Sequence, residues 1–257
     1  MESLKNKIVF ITGASAGIGE ACATEFAKQG ANLILSARRI ERVKALADKL
    51  VKEHGVQVLP IALDVRDRKA VEKTVSSLDS KWKNIDILIN NAGMAKGMVK
   101  LYEDDVQNWE EIIDTNVKGL LYVTRAILPN MVERKSGHII NLGSIAGYEA
   151  YGKGAVYCAS KHAVRAITNA VRIDCLDKNV RVSSIAPGMV ETEFSEVRYF
   201  GDKQKAKDVY KGLEPLTPQD IADTAVFIAM RPKHVNISEV IIMPAAQANA
   251  FISYRSE

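Results

Sequence analysis

The sequence is poor in cysteine, and its few cysteines are not spaced for a metal site. Cys22, Cys158 and Cys175 are the three cysteines among 257 residues. None of their spacings matches a metal-binding motif, so we expect no bound metal. Each cysteine falls in a helix-like stretch, which favours buried thiols in a reducing compartment over a disulfide.

Long apolar runs are missing as well. No hydrophobic stretch approaches the roughly 20 residues of a membrane-spanning helix, so we expect no membrane association. The first seven residues lead directly into a strand-like segment and leave no room for a cleavable signal peptide. These features together predict a cytoplasmic location.

The chain also lacks clustered charge and flexible linkers. Its net charge of +4 is spread along the sequence, which argues against a nucleic-acid partner. No segment rich in Pro, Gly or Ser divides the chain, and 47% hydrophobic residues supply enough material for one core. We therefore predict a single domain over 1–257.

What the chain does contain is a regular alternation of short apolar runs and helix-like segments. Continuous apolar runs are typical of parallel strands that are buried on both faces. The first half has the βαβαβ order of a dinucleotide-binding unit, which predicts an α/β fold: a Rossmann-type, doubly wound, parallel sheet of seven strands with helices on both faces. The predicted strands are 7–11, 32–36, 56–61, 85–89, 138–142, 180–185 and 240–243, and the predicted helices include 40–54, 67–81, 109–134 and one that begins near 218.

A glycine-rich turn, called here the glycine turn (13–19), separates the first strand from the first helix. It carries Gly13, Gly17 and Gly19. A Cβ atom at such positions would obstruct the tight turn and the approach of backbone N–H groups to phosphates. The spacing differs from G-x-G-x-x-G, and three glycines alone would be weak evidence. Their position between a strand and a helix is what indicates a pyrophosphate site.

The end of the second strand predicts which dinucleotide binds. An NAD enzyme carries an acidic residue there, whereas this chain has Ala37, Arg38 and Arg39. A guanidinium can hold a 2′-phosphate with paired hydrogen bonds. Arginines that open a helix are also common as solvated surface residues. Two of them at this place, with the acid missing, predict NADP.

Tyr157 and Lys161 are candidates for proton transfer. Four residues apart on a helix, they lie on the same face. A phenol has a pKa near ~10, so it needs an adjacent cation to act at neutral pH, and Lys161 can supply that cation. Chance spacing on an ordinary amphipathic helix is the alternative.

Two further polar residues extend this candidate site. Ser144 follows the strand-like run 138–142, which places its hydroxyl at the carboxyl end of a strand, where it can orient a carbonyl or an alcohol. Asn116 interrupts a predicted helix, where asparagine is locally unfavourable. It is either an exposed polar residue or one whose amide or carbonyl holds a water in a proton path.

These motifs, in this order, resemble the short-chain dehydrogenase/reductase family over nearly the whole chain. The resemblance implies that Tyr157 is the general acid/base, that Lys161 lowers its pKa and binds the nicotinamide ribose, that Ser144 orients the substrate oxygen, and that Asn116 completes a proton relay. It also implies an adenosine pocket at Asp64, Val65 and Asn91. The implied NADP contacts are Gly13, Ser15, Gly17, Ile18, Gly19, Arg38, Arg39, Asp64, Val65, Asn91, Ala92, Gly93, Tyr157, Lys161, Pro187, Gly188, Val190 and Thr192.

The chain departs from many NADP-preferring relatives at one position. They carry an arginine just before the second glycine, where this chain has Ala16. Any preference for NADP must therefore rest on Arg38 and Arg39.

The second half resembles the NADP-dependent 3-hydroxy acid (serine or L-allo-threonine) dehydrogenases. The residues that carry this resemblance are 193–198, 201–202, 215–218, 231–237 and 243–244. The segment 189–216, called here the lid, is rich in charge, lacks clear periodicity and suits a mobile cover over a small-molecule substrate. Arg198 is our candidate for binding a substrate carboxylate, with Lys153 as the rival cation. Alternatives are reduction of a 3-oxoacyl thioester, sugar or steroid, or a non-catalytic NADP sensor.

The resemblance also implies a homotetramer built on the helices around 109–134 and 157–177. Small and apolar residues recur at helical spacing there, which would let helices of two subunits approach closely. They are Val156, Ala159, Ala163, Ile167 and Ala170. The alternative is that this stripe simply packs on the sheet.

Overall fold

The computed structural model describes residues 2–256 and contains one sheet of seven parallel strands. The strands are β1 (Ile8–Thr12), β2 (Asn32–Ala37), β3 (Val58–Ala62), β4 (Ile87–Asn90), β5 (Gly137–Leu142), β6 (Val180–Pro187) and β7 (Glu239–Ile242). Their order is β3-β2-β1-β4-β5-β6-β7. After β3 the chain crosses to the other side of β1, where β4 begins the second half of the sheet. Doubly wound folds bind ligands at such a switch point, which here is the cleft between the carboxyl ends of β1 and β4.

Helices cover both faces of the sheet, which confirms the predicted fold. They are α1 (Gly17–Lys28), α2 (Ile40–His54), α3 (Arg68–Ser76), α4 (Val106–Ile113), α5 (Leu120–Glu133), α6 (Ala155–Asp174), α7 (Glu193–Arg198), α8 (Lys203–Asp208) and α9 (Pro218–Ala229). Successive strand residues point to opposite faces. Val9 and Ile11 therefore join the core beneath α1, α2 and α9, while Phe10 joins the core beneath α3 and α5.

The predicted helix over 109–134 is divided into three parts. A π-helical turn, Asp114–Gly119, separates α4 from α5. Gly119 lies so close to Val65 that a Cβ atom would come within 2.6 Å of a Val65 methyl carbon. The wider turn also directs Asn116 into the protein, where it is 2% exposed. The interruption expected from Asn116 and Gly119 is thus a local change of helix type.

Two other predictions need correction. The helix expected over 67–81 ends at Ser76, because the Ser76 and Ser77 hydroxyls donate to carbonyl oxygens one turn earlier and compete with the helical pattern. The lid contains two short helices, α7 and α8, which begin at side-chain caps from Thr192 and Asp202. Within residues 2–256, no helix has both the length and the hydrophobicity to cross a membrane.

Candidate active site

The glycine turn is held by uncharged contacts from the segment that follows β4. Gly13 has φ +67°, and a Cβ atom on Gly19 would overlap the Gly13 carbonyl oxygen and the Asn91 amide. Asn91 Nδ2 donates to the carbonyl oxygens of Thr12 (2.9 Å) and Gly13 (3.2 Å). The backbone N–H groups of Asn91 and Ala92 both donate to Thr12 Oγ1 at 3.0 Å. Asn91 was predicted to line the adenosine pocket, but its amide nitrogen supports the turn.

The chain after β6 passes over the glycine turn. A Cβ atom on Gly17, whose φ is +58°, would lie 3.2 Å from Thr192 Cγ2. Ile18 and Val190 pack against the same core cluster. The structure therefore brings Ile18, Val190 and Thr192 together at the N-terminus of α1. These are the residues that were expected near the pyrophosphate and the carboxamide.

The two arginines after β2 have different surroundings. Arg38 is exposed. Arg39 Nε donates to Ser15 Oγ (3.2 Å), and its Nη1 forms an ion pair with Glu193 Oε2 at 2.7 Å. Arg42 pairs with the other oxygen of Glu193, also at 2.7 Å. Hydrogen bonds from these two guanidinium groups hold the pKa of Glu193 below its usual range. The first residue of α7 is thus tied to the proposed 2′-phosphate site.

Asp64 and Val65 lie just after β3, and both are already engaged. Arg66 donates to both Asp64 carboxylate oxygens, with 2.6 Å between Nη2 and Oδ2. This hydrogen bonding is the main cause that lowers the pKa of Asp64. Val65 is buried beneath Gly119. Their position fits the expected edge of an adenosine pocket, but the Asp64 carboxylate already has a partner.

Tyr157 lies on α6 beside the carboxyl ends of β4 and β5. Burial raises the pKa of its phenol, while the Arg198 guanidinium and then the Ser144 hydroxyl lower it. Arg198 Cζ lies 4.9 Å from the centre of the Tyr157 ring, compared with 5.9 Å for Lys161 Nζ. The sequence suggested Lys161 as the cation for Tyr157, and the structure adds a nearer one from the lid.

Lys161 is held inside the site by the backbone of β5. Its Nζ donates to the Leu142 carbonyl oxygen at 2.8 Å, and burial lowers the pKa of Lys161 to about 8. A Cβ atom on Gly93 would lie 3.8 Å from Lys161 Nζ and 3.3 Å from Asn116 Oδ1. The sheet edge therefore gathers Gly93, Asn116 and Lys161 around one point, as the sequence predicted.

The Asn116 side chain is fully engaged by protein groups. Its Oδ1 accepts from Met94 N–H at 2.8 Å, while its Nδ2 donates to Met94 O (2.8 Å) and Ser160 Oγ (3.0 Å). Asn116 is therefore not the exposed polar residue of the first alternative. Its amide fastens the segment after β4 to α6, and the second alternative, a water held in a proton path, stays a prediction.

Arg198 packs between aromatic rings at the mouth of the site. Its guanidinium lies 4.9 Å from the ring centre of Tyr157 and 5.3 Å from that of Phe194. Nη2 donates to Tyr151 Oη at 3.1 Å, and the Arg198 carbonyl oxygen accepts from Gly97 N–H at 2.9 Å. Lys153, the rival cation, is exposed. The lid thus directs its arginine onto Tyr157.

Sequence reasoning missed three residues of this region: Tyr151, Glu193 and Gln247. Gln247 Oε1 accepts from Met189 N–H at 2.9 Å and packs against Gly188, so it supports the start of the lid. Tyr151 offered one usable signal, since it opens the stretch Tyr-Gly-Lys-Gly just before Tyr157. Gly154 leaves room for its ring, because a Cβ atom there would overlap Tyr151.

Comparison with known proteins agrees with this geometry. Residues 7–200 match the family model for short chain dehydrogenases. The chain is 44% identical to the NADP-dependent 3-hydroxy acid dehydrogenase of Schizosaccharomyces pombe over the full length of both proteins. It is 47% identical to the NADP-dependent 3-hydroxy acid dehydrogenase YdfG of Salmonella typhi, over 96% of this chain and 98% of that protein.

The chain is also similar to a solved structure in three dimensions. A closed form of serine dehydrogenase complexed with NADP+ superimposes with a TM-score of 0.91 at 45% identity, over 97% of this chain and 100% of the other. The family model covers well over half of the chain. The protein therefore belongs to the short-chain dehydrogenase family.

Proposed function

We propose that this protein is an NADP-dependent oxidoreductase that transfers a hydride between NADP(H) and the hydroxyl-bearing carbon of a small 3-hydroxy acid, such as serine, allo-threonine or 3-hydroxypropionate. One observation carries the proposal: Ser144 and a partly buried Arg198 both lie next to Tyr157. The names of the relatives at 44% and 47% identity support the same reaction.

The residues around the glycine turn fit NADP. Gly13 and Gly19 permit the tight turn that leads into α1, whose N-terminal backbone N–H groups can bind a pyrophosphate. Arg38 and Arg39 follow β2, where an arginine in this fold can bind the 2′-phosphate of NADP. When bound, the nicotinamide supplies or accepts the hydride. The remaining proposed contacts are Ser15, Gly17, Ile18, Asp64, Val65, Asn91, Ala92, Gly93, Pro187, Gly188, Val190 and Thr192, with Tyr157 and Lys161 at the ribose.

Proton transfer falls to Tyr157. During oxidation its phenolate accepts the proton of the substrate hydroxyl, as the C–H electron pair leaves as hydride, and during reduction the phenol returns that proton. Ser144, the neighbour of the Tyr157 hydroxyl, would orient the substrate oxygen. Lys161, whose Nζ lies 5.9 Å from the centre of the Tyr157 ring, would stabilise the phenolate and bind the nicotinamide ribose. Asn116 holds the segment after β4 in place, because its Oδ1 and its Nδ2 both bind the Met94 backbone.

Arg198 is the proposed partner of the substrate carboxylate. A small hydroxy acid offers few apolar atoms to bury, so its selection over a plain alcohol requires a charged partner. Arg198 meets this need inside the site, whereas Lys153 is exposed.

A substrate panel tests this function. Turnover of 3-hydroxy acids, alcohols and carbonyls, followed by nicotinamide absorbance with NADP and NAD in parallel, should show the highest kcat/KM for small 3-hydroxy acids with NADP. NADP binding without turnover of any substrate would instead favour the non-catalytic sensor.

Arg198→Met tests the carboxylate role. Because Arg198 also lowers the pKa of Tyr157, this variant should slow oxidation of every alcohol at neutral pH. The ratio of kcat/KM for 3-hydroxypropionate to that for 1,3-propanediol removes this shared effect. We expect the ratio to fall by the equivalent of roughly 2–4 kcal/mol, as when charged hydrogen bonds are lost. An unchanged ratio would transfer the role to Lys153 or to backbone N–H groups.

We also propose a homotetramer, as is usual in the family, in a reducing, cytoplasmic compartment. In the small-residue stripe of α6, Ala159 and Ala170 are exposed and the other three residues are partly buried, whereas Cys158, Val164 and Thr168 belong to the buried face. A groove of about 800 Å³ lies between α3 and α5. Light scattering at micromolar concentration should give four times the subunit mass, and a monomer would refute the assembly.

A further inference from the structure

Arg198 is an incompletely paired cation in a partly buried position, and its Nε is the buried part. Among residues 2–256, no carboxylate lies within ion-pair distance of its guanidinium. Its Nε is buried and has no hydrogen-bond partner in this part of the chain. A buried charge without a counter-ion is costly, so the site favours an anionic ligand. Nε and Nη2 form one edge of the guanidinium, and that edge can hold a carboxylate with two parallel hydrogen bonds.

Tyr151 is bound to the other nitrogen of this edge, Nη2. Its Oη accepts from Arg198 Nη2 at 3.1 Å, and no other hydrogen bond of Oη is found among the described residues. The hydroxyl hydrogen of Tyr151 is therefore available to another acceptor. Burial, the largest effect, raises the pKa of Tyr151, so the hydroxyl stays protonated and acts as a donor at neutral pH.

The two donors lie close to the reacting group. The Tyr151 ring packs against Gly154, one turn before Tyr157 along the chain. The Arg198 guanidinium lies over the Tyr157 ring at 4.9 Å from its centre. In a 3-hydroxy acid, only one carbon separates the hydroxyl-bearing carbon from the carboxyl carbon. A molecule of that length can place its hydroxyl at Tyr157 and its carboxylate at the Arg198–Tyr151 pair.

We propose that Tyr151 and Arg198 form one carboxylate receptor. One oxygen of the substrate carboxylate accepts from Arg198 Nε–H, and the other accepts from the Tyr151 hydroxyl. Tyr151 is then a residue that determines specificity for free 3-hydroxy acids over the corresponding alcohols, esters and amides. This inference rests on the proposed function, because it names the second donor for the same substrate.

Tyr151→Phe tests the receptor by removing one oxygen while keeping the ring. We expect kcat/KM for 3-hydroxypropionate with NADP to fall about 10- to 100-fold, mainly through KM, as when a hydrogen bond to a charged group is lost. Turnover of 1,3-propanediol should change less than about twofold. Tyr102→Phe is the matched control, because Tyr102 is 78% exposed and should leave both substrates unaffected.

A double-mutant cycle shows whether the two residues act as one receptor. If they do, Tyr151→Phe should cost much less in an Arg198→Met background than in the wild-type enzyme, since the carboxylate has already lost its main partner. Full additivity would overturn the proposal. Equal losses on both substrates would also overturn it, because they would indicate a packing role for Tyr151.

The control substrate separates this inference from the proposed function. A wild-type enzyme that turns over 1,3-propanediol as efficiently as 3-hydroxypropionate would refute selection for 3-hydroxy acids, and the receptor with it. A wild-type enzyme that strongly prefers the acid, combined with an unaffected Tyr151→Phe variant, would refute the receptor alone. Thermal melting of each variant verifies that the fold is retained.

Discussion

The glycine turn and the lid border the same cleft, but they are held in place by different forces. Backbone groups and two uncharged side chains, Thr12 and Asn91, hold the glycine turn. The lid carries charge into the cleft: Glu193 pairs with Arg39 at one end of α7, and Arg198 covers Tyr157 at the other. A Cβ atom on Gly19 would overlap neighbouring atoms of the glycine turn, whereas the proposed function of the lid depends on the positions of Glu193 and Arg198.

This difference indicates that backbone groups and charged side chains recognise different parts of the ligands. Backbone N–H groups recognise a pyrophosphate that is common to NAD and NADP, so the glycine turn cannot discriminate between the two. In the proposed function, side chains discriminate: Arg38 and Arg39 bind the 2′-phosphate, and Arg198 binds the substrate carboxylate. Changes in the turn should therefore affect both dinucleotides and the fold, while changes at the charged groups should affect one ligand at a time.

The largest effect is expected at Tyr157, whose ring lies beneath the lid residue Arg198. Tyr157→Phe removes the proton acceptor and donor but keeps the ring beneath Arg198. We expect turnover to fall by about 10²–10⁴-fold, the usual contribution of general acid–base catalysis. NADPH binding, measured by fluorescence titration, should be nearly intact. Near-normal turnover would refute the role of Tyr157.

Charge reversal at the end of β2 should affect one dinucleotide. Arg38→Asp removes a cation and would repel the 2′-phosphate, so we expect kcat/KM with NADPH to fall about 10- to 100-fold. Activity with NADH should be little changed, which serves as the internal control. If the enzyme stays selective for NADP after both Arg38 and Arg39 are replaced, the determinant lies elsewhere.

A methyl group in the glycine turn should affect both dinucleotides alike. In Gly19→Ala, the new Cβ atom overlaps the Gly13 carbonyl oxygen and the Asn91 amide. Overpacking of this kind costs about 1–3 kcal/mol of stability, which predicts a Tm lower by about 2–10 °C and weaker binding of NADP and NAD together. Gly152→Ala is the matched control, since no atom lies within 4 Å of the added Cβ. Loss of NADP binding alone would contradict the division of roles.

The smallest effect is expected at Glu193, the lid residue that forms an ion pair with Arg39. The Glu193 carboxylate pairs with Arg39 and would compete with the 2′-phosphate in the proposed function. Exposed ion pairs contribute little, so Glu193→Gln should tighten NADP binding only about two- to fivefold and leave NAD binding unchanged. Glu196→Gln, on the same helix, is the control. Weaker NADP binding in Glu193→Gln would show instead that Glu193 orders Arg39 for the phosphate.

Most of the scaffold could be predicted because its signals are local. Continuous apolar runs placed the seven strands to within about two residues, and the strand, glycine turn and helix at 8–28 follow one another directly along the chain. The helix ends were less predictable: at Ser76 a serine hydroxyl competes with the backbone pattern. The π-helical turn at Asn116 depends on packing against Val65 and Met94, which no local pattern records.

The sequence by itself determined the family, the order of the elements and the positions of Ser144, Tyr157 and Lys161, because periodicity and motif spacing are properties of neighbouring residues. Only the tertiary structure decided which distant side chains meet. Arg198 reaches Tyr151 across 47 positions and Glu193 reaches Arg39 across 154, and in the sequence each of these charged residues resembles an ordinary solvated one. The physical reason is that burial and pairing of a charge depend on surfaces that folding brings together.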